Sequence, residues 1–99
     1  MAEVEILVTY DVATETPEGR RRLRRVAKAC EAYGQRVQKS VFECVVGEMD
    51  LEKLKHRLVQ EIDADQDSLR IYRLREPRQR FVQVFGQKPQ YDLEAPLIL

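Results

Sequence analysis

Along residues 4–12, Val4, Ile6, Val8 and Tyr10 alternate with Glu5, Leu7, Thr9 and Asp11. That is the two-residue period of a β-strand, whose side chains take opposite faces in turn. The first set is apolar and the second carries Leu7, and the run is read as a strand covered on both sides. Asp is depleted inside strands, so Asp11, where this strand runs out, needs a reason. The plainer one is a turn or cap before Thr14 and Pro17. The sharper one is a metal or phosphate site at the strand's carboxyl end.

The period then changes. Thr16 is a good N-cap, Pro17 suits a first helical position, and Glu18 suits the positive end of the helix dipole. The spacing of Leu23, Val26, Ala27, Cys30 and Tyr33 predicts a helix from Pro17 to Tyr33, with Gly34 as its stop. Arg21, Arg24, Arg25 and Lys28 fall on the opposite face, with Arg20 and Arg22 on the flanks. Most charged stripes are solvated faces. Five arginines in positions 20–25 repel one another, however, and Arg suits phosphate better than Lys does.

Residues Gln35 to Gly47 are β-branched and aromatic without Pro, and the run exceeds the usual strand of about five or six residues. It predicts two short antiparallel strands broken near Lys39-Ser40, with one long bent strand as the alternative. Met49-Asp50-Leu51 opens a second helix, with Asp50 as N-cap and Met49 and Leu54 placed as a hydrophobic staple. Leu51, Leu54, Leu58 and Ile62 form its apolar stripe. His56, the only histidine, lies off that stripe among Lys53, Lys55 and Arg57 and reads as exposed. Asp63 to Ser68 has DxDxD spacing but lacks the Gly and distal Glu of a calcium loop, so it reads as a polar connection. Leu69 to Arg75 predicts a strand, Glu76-Pro77-Arg78 a turn, and Phe81 to Phe85 a further strand ending at Gly86. A polar stretch then leads to the apolar terminus Ala95 to Leu99.

Strand, helix, strand, strand, helix, strand and a short extra strand describe an α+β fold, the split βαβ sandwich of ferredoxin-like proteins. Residues 1–86 form the domain, and residues 87–99 an extension expected to dock on a sheet edge. Crossovers of one hand put both helices on one face of the sheet. The other face is then left for a partner, most simply a second copy about a twofold axis: a homodimer through the sheet face.

Charge adds one feature. The chain carries no formal net charge, but its blocks differ: residues 17–40 hold eight bases and two acids, and residues 41–67 three bases and eight acids. A basic block beside an acidic one suggests a single polyanion-binding region. Cys30 and Cys44 form no CxxC pair, so neither zinc nor a disulfide framework is indicated. No signal sequence and no apolar run of about 20 residues is present. The chain reads as cytoplasmic, with no membrane partner.

The strand ending Tyr10-Asp11 before an Arg-rich helix, together with Tyr33-Gly34-Gln35-Arg36-Val37-Gln38-Lys39-Ser40-Val41-Phe42-Glu43-Cys44, resembles the small CRISPR-associated proteins of the Cas2 family. Asp67-Ser68-Leu69-Arg70-Ile71-Tyr72 and the segment ending at Gly86 fit the same pattern. The resemblance implies a ferredoxin-like dimer that serves in CRISPR spacer acquisition, bridging subunits of an integrase along DNA. It also implies a metal-dependent endonuclease acting on RNA or DNA. On these residues Asp11 is the catalytic and metal-binding position, with magnesium or another divalent ion as cofactor. Tyr10, Ser40 and Phe42 lie near that site, and Arg20, Arg21, Arg24, Arg25 and Arg36 are candidate phosphate contacts. One carboxylate per chain is too little for a hydrolytic site, and a twofold axis supplies the second. Three functions compete: a metal-dependent endonuclease, a non-catalytic nucleic-acid scaffold for an integrase, and a ferredoxin-like interaction module. The arginine face weighs against the last.

Overall fold

The alternating first segment becomes strand β1 (Glu3–Asp11), with Ile6, Val8 and Tyr10 buried and Asp11 exposed. The computed structural model describes residues 2–86. Helix α1 (Pro17–Glu31) follows, capped as expected: the Thr16 hydroxyl accepts from the Gly19 N–H at 3.0 Å, and Pro17 stands in the first turn. Its buried residues include Leu23, Val26, Ala27 and Cys30. The helix ends before Tyr33, whose N–H closes on the Cys30 carbonyl at 3.0 Å.

Gly34 is not the left-handed stop that the sequence suggested, since Gly86 is the only glycine with positive φ among the described residues. Gly34 opens strand β2 (Gly34–Gln38). A Cβ there would lie 2.3 Å from Cys44 Sγ and 2.4 Å from the Glu43 carbonyl oxygen. The residue is needed for close approach of backbones rather than for backbone freedom.

Strand β3 (Val41–Gly47) pairs antiparallel with β2 across a turn at Lys39-Ser40, as the broken-strand reading expected. The register shifts between Arg36 and Gln38, an irregularity of the kind a bulge makes. Helix α2 (Glu48–Glu61) starts earlier than expected: Gly47 is the N-cap, without a side-chain cap bond. Asp50 joins Glu48 in the first turn, where negative charge complements the dipole. Met49 is 68% exposed, so it forms no staple. Strand β4 (Ser68–Arg73) completes the sheet.

The strand order is β2-β3-β1-β4, with every neighbouring pair antiparallel. This is the ferredoxin-like arrangement. Ile6, Val8, Tyr10, Phe42, Cys44 and Val46 share one core with the apolar stripes of α1 and α2. Both helices therefore cover the same sheet face. The opposite face is mixed rather than apolar. Leu7, Val45 and Tyr72 stand there with Glu5, Glu43 and Arg70, as the pairings Leu7 with Glu43 and Tyr72, and Thr9 with Arg70, require.

Past β4, the Leu74 N–H still donates to the Glu5 carbonyl at 2.9 Å. Pro77 and a single 3₁₀ turn (Arg78–Arg80) then carry the chain over the helix-free face. There Arg78 Nη1 lies 2.6 Å from Glu5 and Nε 2.9 Å from Glu43. The expected strand Phe81 to Phe85 is not formed within the single chain, and Phe81, Val82, Val84 and Phe85 are exposed. A strand requires a ladder partner, and the Arg78 ion pairs draw this segment away from the β4 edge. The expected docking of residues 87–99 lies outside the described residues. No helix among those described is long and apolar enough to cross a membrane.

Candidate functional site

Alternation along β1 decides where Asp11 stands. Tyr10 faces the helices, so Asp11 lies on the helix-free face, at the last position of the strand and opposite Ser68. Its carboxylate is exposed and makes no hydrogen bond or ion pair with another described residue. Among the described residues no group of three or more His, Cys, Asp or Glu side chains is placed to hold a metal. Further ligands for a metal at Asp11 therefore lie beyond the described residues of the single chain. The donor chemistry fits such a group: a lone hard carboxylate, unpaired and open to solvent, suits magnesium, which takes one or two carboxylates and fills the rest of its shell with water and phosphate oxygens.

Tyr10, Ser40 and Phe42 are brought together, but on the other side of the strand end. The Tyr10 and Phe42 rings stack at 6.3 Å. The Tyr10 N–H donates to the Ser40 carbonyl at 3.1 Å, and its hydroxyl donates to the Lys39 carbonyl at 3.4 Å. Arg36 lies 5.2 Å over the Phe42 ring and donates to the Tyr10 hydroxyl at 3.4 Å. Burial pushes the Tyr10 phenol pKa up, against the lowering pull of Arg36. These residues brace the end of β1 from behind Asp11. Arg36 is engaged in that support, apart from the arginines of α1.

Those arginines divide. Arg21 and Arg24 are exposed and bond to no other described residue. Arg20 donates to the Thr14 carbonyl at 3.1 Å, and Arg25 stands 4.0 Å from Glu61 while keeping 61% of its side chain exposed. Arg22 is withdrawn into an ion pair. The exposed arginines point away from the sheet on its helical side, whereas Asp11 lies on its helix-free side. No hydrogen bond or ion pair joins the two among the described residues. Arg70 and Tyr72 do share Asp11's face: Arg70 pairs with Thr9, and its Nη1 donates to the Tyr72 hydroxyl at 3.1 Å. The sequence placed both in a family-like segment without marking either as a site residue. The alternation in β4 places them on one face, but only topology shows that β4 lies beside β1.

Asp67 was also missed as an individual. Its side chain is fully buried. Oδ1 accepts from the Ala13 N–H at 3.0 Å and from Arg22 Nη2 at 3.3 Å; Oδ2 accepts from Arg22 Nε at 2.8 Å and from the Asp63 N–H at 2.8 Å. Burial alone would raise its pKa, but the bonds from Arg22, Asp63 and Ala13 outweigh it and hold the carboxyl below its usual range. A depressed carboxyl pKa contributes stability above the unfolded-state value and loses it as pH falls through the folded value. Asp67→Asn is therefore expected to be less stable than wild type at pH 7. The gap should shrink as pH falls below about 4. Urea unfolding of both proteins across that range checks this, and a constant gap would contradict it.

Cys30 and Cys44 offer no nucleophile. Burial pushes their thiol pKa values up to about 12 and about 11. His56 is exposed on α2, as expected.

Residues 4–81 match the family profile described as CRISPR associated protein Cas2. The chain is 60% identical over 94 residues to the CRISPR-associated endoribonuclease Cas2 1 of Moorella thermoacetica, covering 95% of this chain and 98% of that one. It is 55% identical over 93 residues to the CRISPR-associated endonuclease Cas2 of Halalkalibacterium halodurans, covering 94% and 97%. The crystal structure of Streptococcus pyogenes Cas2 at pH 6.5 superposes with a TM-score of 0.76 at 57% identity, covering 83% of this chain and 99% of that one. With its profile, its relatives and its fold in agreement, this chain belongs to the CRISPR-associated Cas2 family.

Proposed function

We propose that the protein works as a homodimer in CRISPR spacer acquisition, binding nucleic acid through the arginine face of α1, with divalent-metal-dependent endonuclease activity centred on the Asp11 residues of two copies. The observation that carries this reading is the placement of Asp11: exposed, unpaired among the described residues, and on the sheet face that no helix covers. A twofold axis through that face supplies a second carboxylate at no cost in chain length. Relatives named as endoribonuclease and endonuclease support the nuclease reading without settling RNA against DNA. A bound magnesium ion supplies charge neutralisation at a scissile phosphate and a more acidic water. The chain's own part is to hold Asp11 at the strand end and to position the polyanion. The Tyr10–Phe42–Arg36 packing braces the strand end.

A second reading has its own observation. The arginine face and Asp11 lie on opposite sides of the sheet, so binding and cleavage are separable. A dimer that holds nucleic acid for a partner integrase needs only the first, and phosphate contacts position without chemistry. We place this scaffold role first in the cell and treat cleavage as conditional on metal.

The binding half is tested by replacing Arg21, Arg24 and Arg25 with Gln. Affinity is expected to fall for all sequences alike. The slope of log affinity against log salt should drop by about 0.9 for each duplex phosphate that the variant no longer neutralises. Unchanged affinity and slope would mean the face is only solvated.

A further inference from the structure

The region beside Asp11 holds one structure that the proposed function does not use. The Asp67 carboxylate reaches the β1–α1 loop at the Ala13 N–H and α1 at Arg22, and accepts from the Asp63 N–H of its own turn, all within 3.3 Å. Both of its main-chain connections to β1 bracket Asp11. Ala13 lies just beyond Asp11 in sequence, and Ser68, next to Asp67, is the residue that Asp11 faces across the β1–β4 ladder. Asp11 itself has no side-chain partner among the described residues, so the backbone around it is what sets its direction.

The acidic turn itself needs none of this reach. The Asp67 N–H donates to the Asp63 carbonyl at 2.8 Å, and Asp63 Oδ1 accepts from the Asp65 N–H at 2.9 Å, so the turn closes on its own bonds. A buried carboxylate that in addition reaches the β1–α1 loop and α1 costs desolvation, which its bonds offset.

We propose that Asp67, held by Arg22, is a positioning residue that fixes the Asp11 carboxylate for a divalent cation at the end of β1. This rests on the metal reading of Asp11 given above. Asp67 acts through main chain, since it touches neither the cation nor the substrate. Replacing Asp67 with Asn keeps its size, removes the charge that holds Arg22, and leaves at most one oxygen to accept the bonds now shared by two. The anchor of the loop at Ala13 is then weakened, and Asp11 samples more directions.

The test measures manganese binding by water-proton relaxation, alongside cleavage of a nucleic-acid substrate at increasing magnesium, for wild type, Asp67→Asn, Arg22→Lys and Asp11→Asn. Circular dichroism and urea unfolding confirm that each variant is folded at the assay temperature. Removing the groups that orient a metal ligand typically weakens the site by about 10-fold or more. Asp67→Asn is therefore expected to need about 10-fold more metal for half-saturation, by both readouts, with cleavage recovering at high metal. Arg22→Lys keeps the charge and the Ala13 bond, so it should shift half-saturation in the same direction by less, and it carries the test if Asp67→Asn does not fold. Folded variants with lower unfolding midpoints but wild-type half-saturation would overturn the proposal and leave the clamp a purely structural feature. Wild type and Asp11→Asn binding manganese equally would overturn the metal reading itself, a different failure from the first.

Discussion

Asp11→Asn is expected to abolish metal-dependent cleavage while leaving the protein folded and its assembly intact. The exposed carboxylate makes no contact with the core, so the amide keeps shape and packing and removes only charge. In a dimer the same substitution removes both twofold-related carboxylates at once. Charge stabilisation by a metal is worth several kcal/mol, so the rate should fall by about 100-fold or more. Binding to nucleic acid should be retained, because the exposed arginines of α1 lie on the other side of the sheet. Nuclease assays and binding titrations on the same preparation check both halves. Cleavage that persists would locate the chemistry elsewhere, and a loss of binding would tie the arginine face to Asp11 more closely than the fold does.

Phe42→Ala is expected to have the largest effect on stability. Phe42 is fully buried, stacks on Tyr10 at 6.3 Å and lies beneath the Arg36 guanidinium at 5.2 Å. Truncating a buried Phe costs about 3–5 kcal/mol in transfer energy and residual cavity. The cation–π interaction adds about 0.5–1 kcal/mol. Against the roughly 5–15 kcal/mol that holds a small domain folded, this brings the chain near unfolding. The urea midpoint measures it. A loss under about 1 kcal/mol would mean that the core closes over the gap, and that the Tyr10–Phe42–Arg36 arrangement is not what braces the end of β1.

What the sequence revealed and what it hid divide along the range of the interactions. The alternation of β1 and the apolar stripe of α1 are local periods, and both elements form where those periods run. Asp11 was legible because a carboxylate at a strand end stands out from its neighbours. The start of α2 was misplaced because Asp50 suits a cap and a first turn equally well, and the longer helix won. Phe81 to Phe85 has strand composition, yet a strand exists only with a partner, and the pull of Glu5 and Glu43 on Arg78 cannot be seen in the segment itself. Asp67 read as one more acid in a polar turn, since its partners Arg22 and Ala13 lie 45 and 54 residues away. Arg36 read as one of the basic residues until the β2–β3 pairing placed it over Phe42.

The central claim is that two copies of Asp11 complete one site, and subunit mixing tests it most directly. Wild-type and Asp11→Asn chains, differently tagged, are exchanged at equal amounts, and cleavage is measured at fixed total protein and saturating magnesium. If each site needs a carboxylate from both copies, only dimers with two wild-type chains cleave, and activity should fall to about a quarter of that of wild type. Activity of about half, in proportion to the wild-type chains present, would show that each chain carries its own complete site and would contradict the shared one.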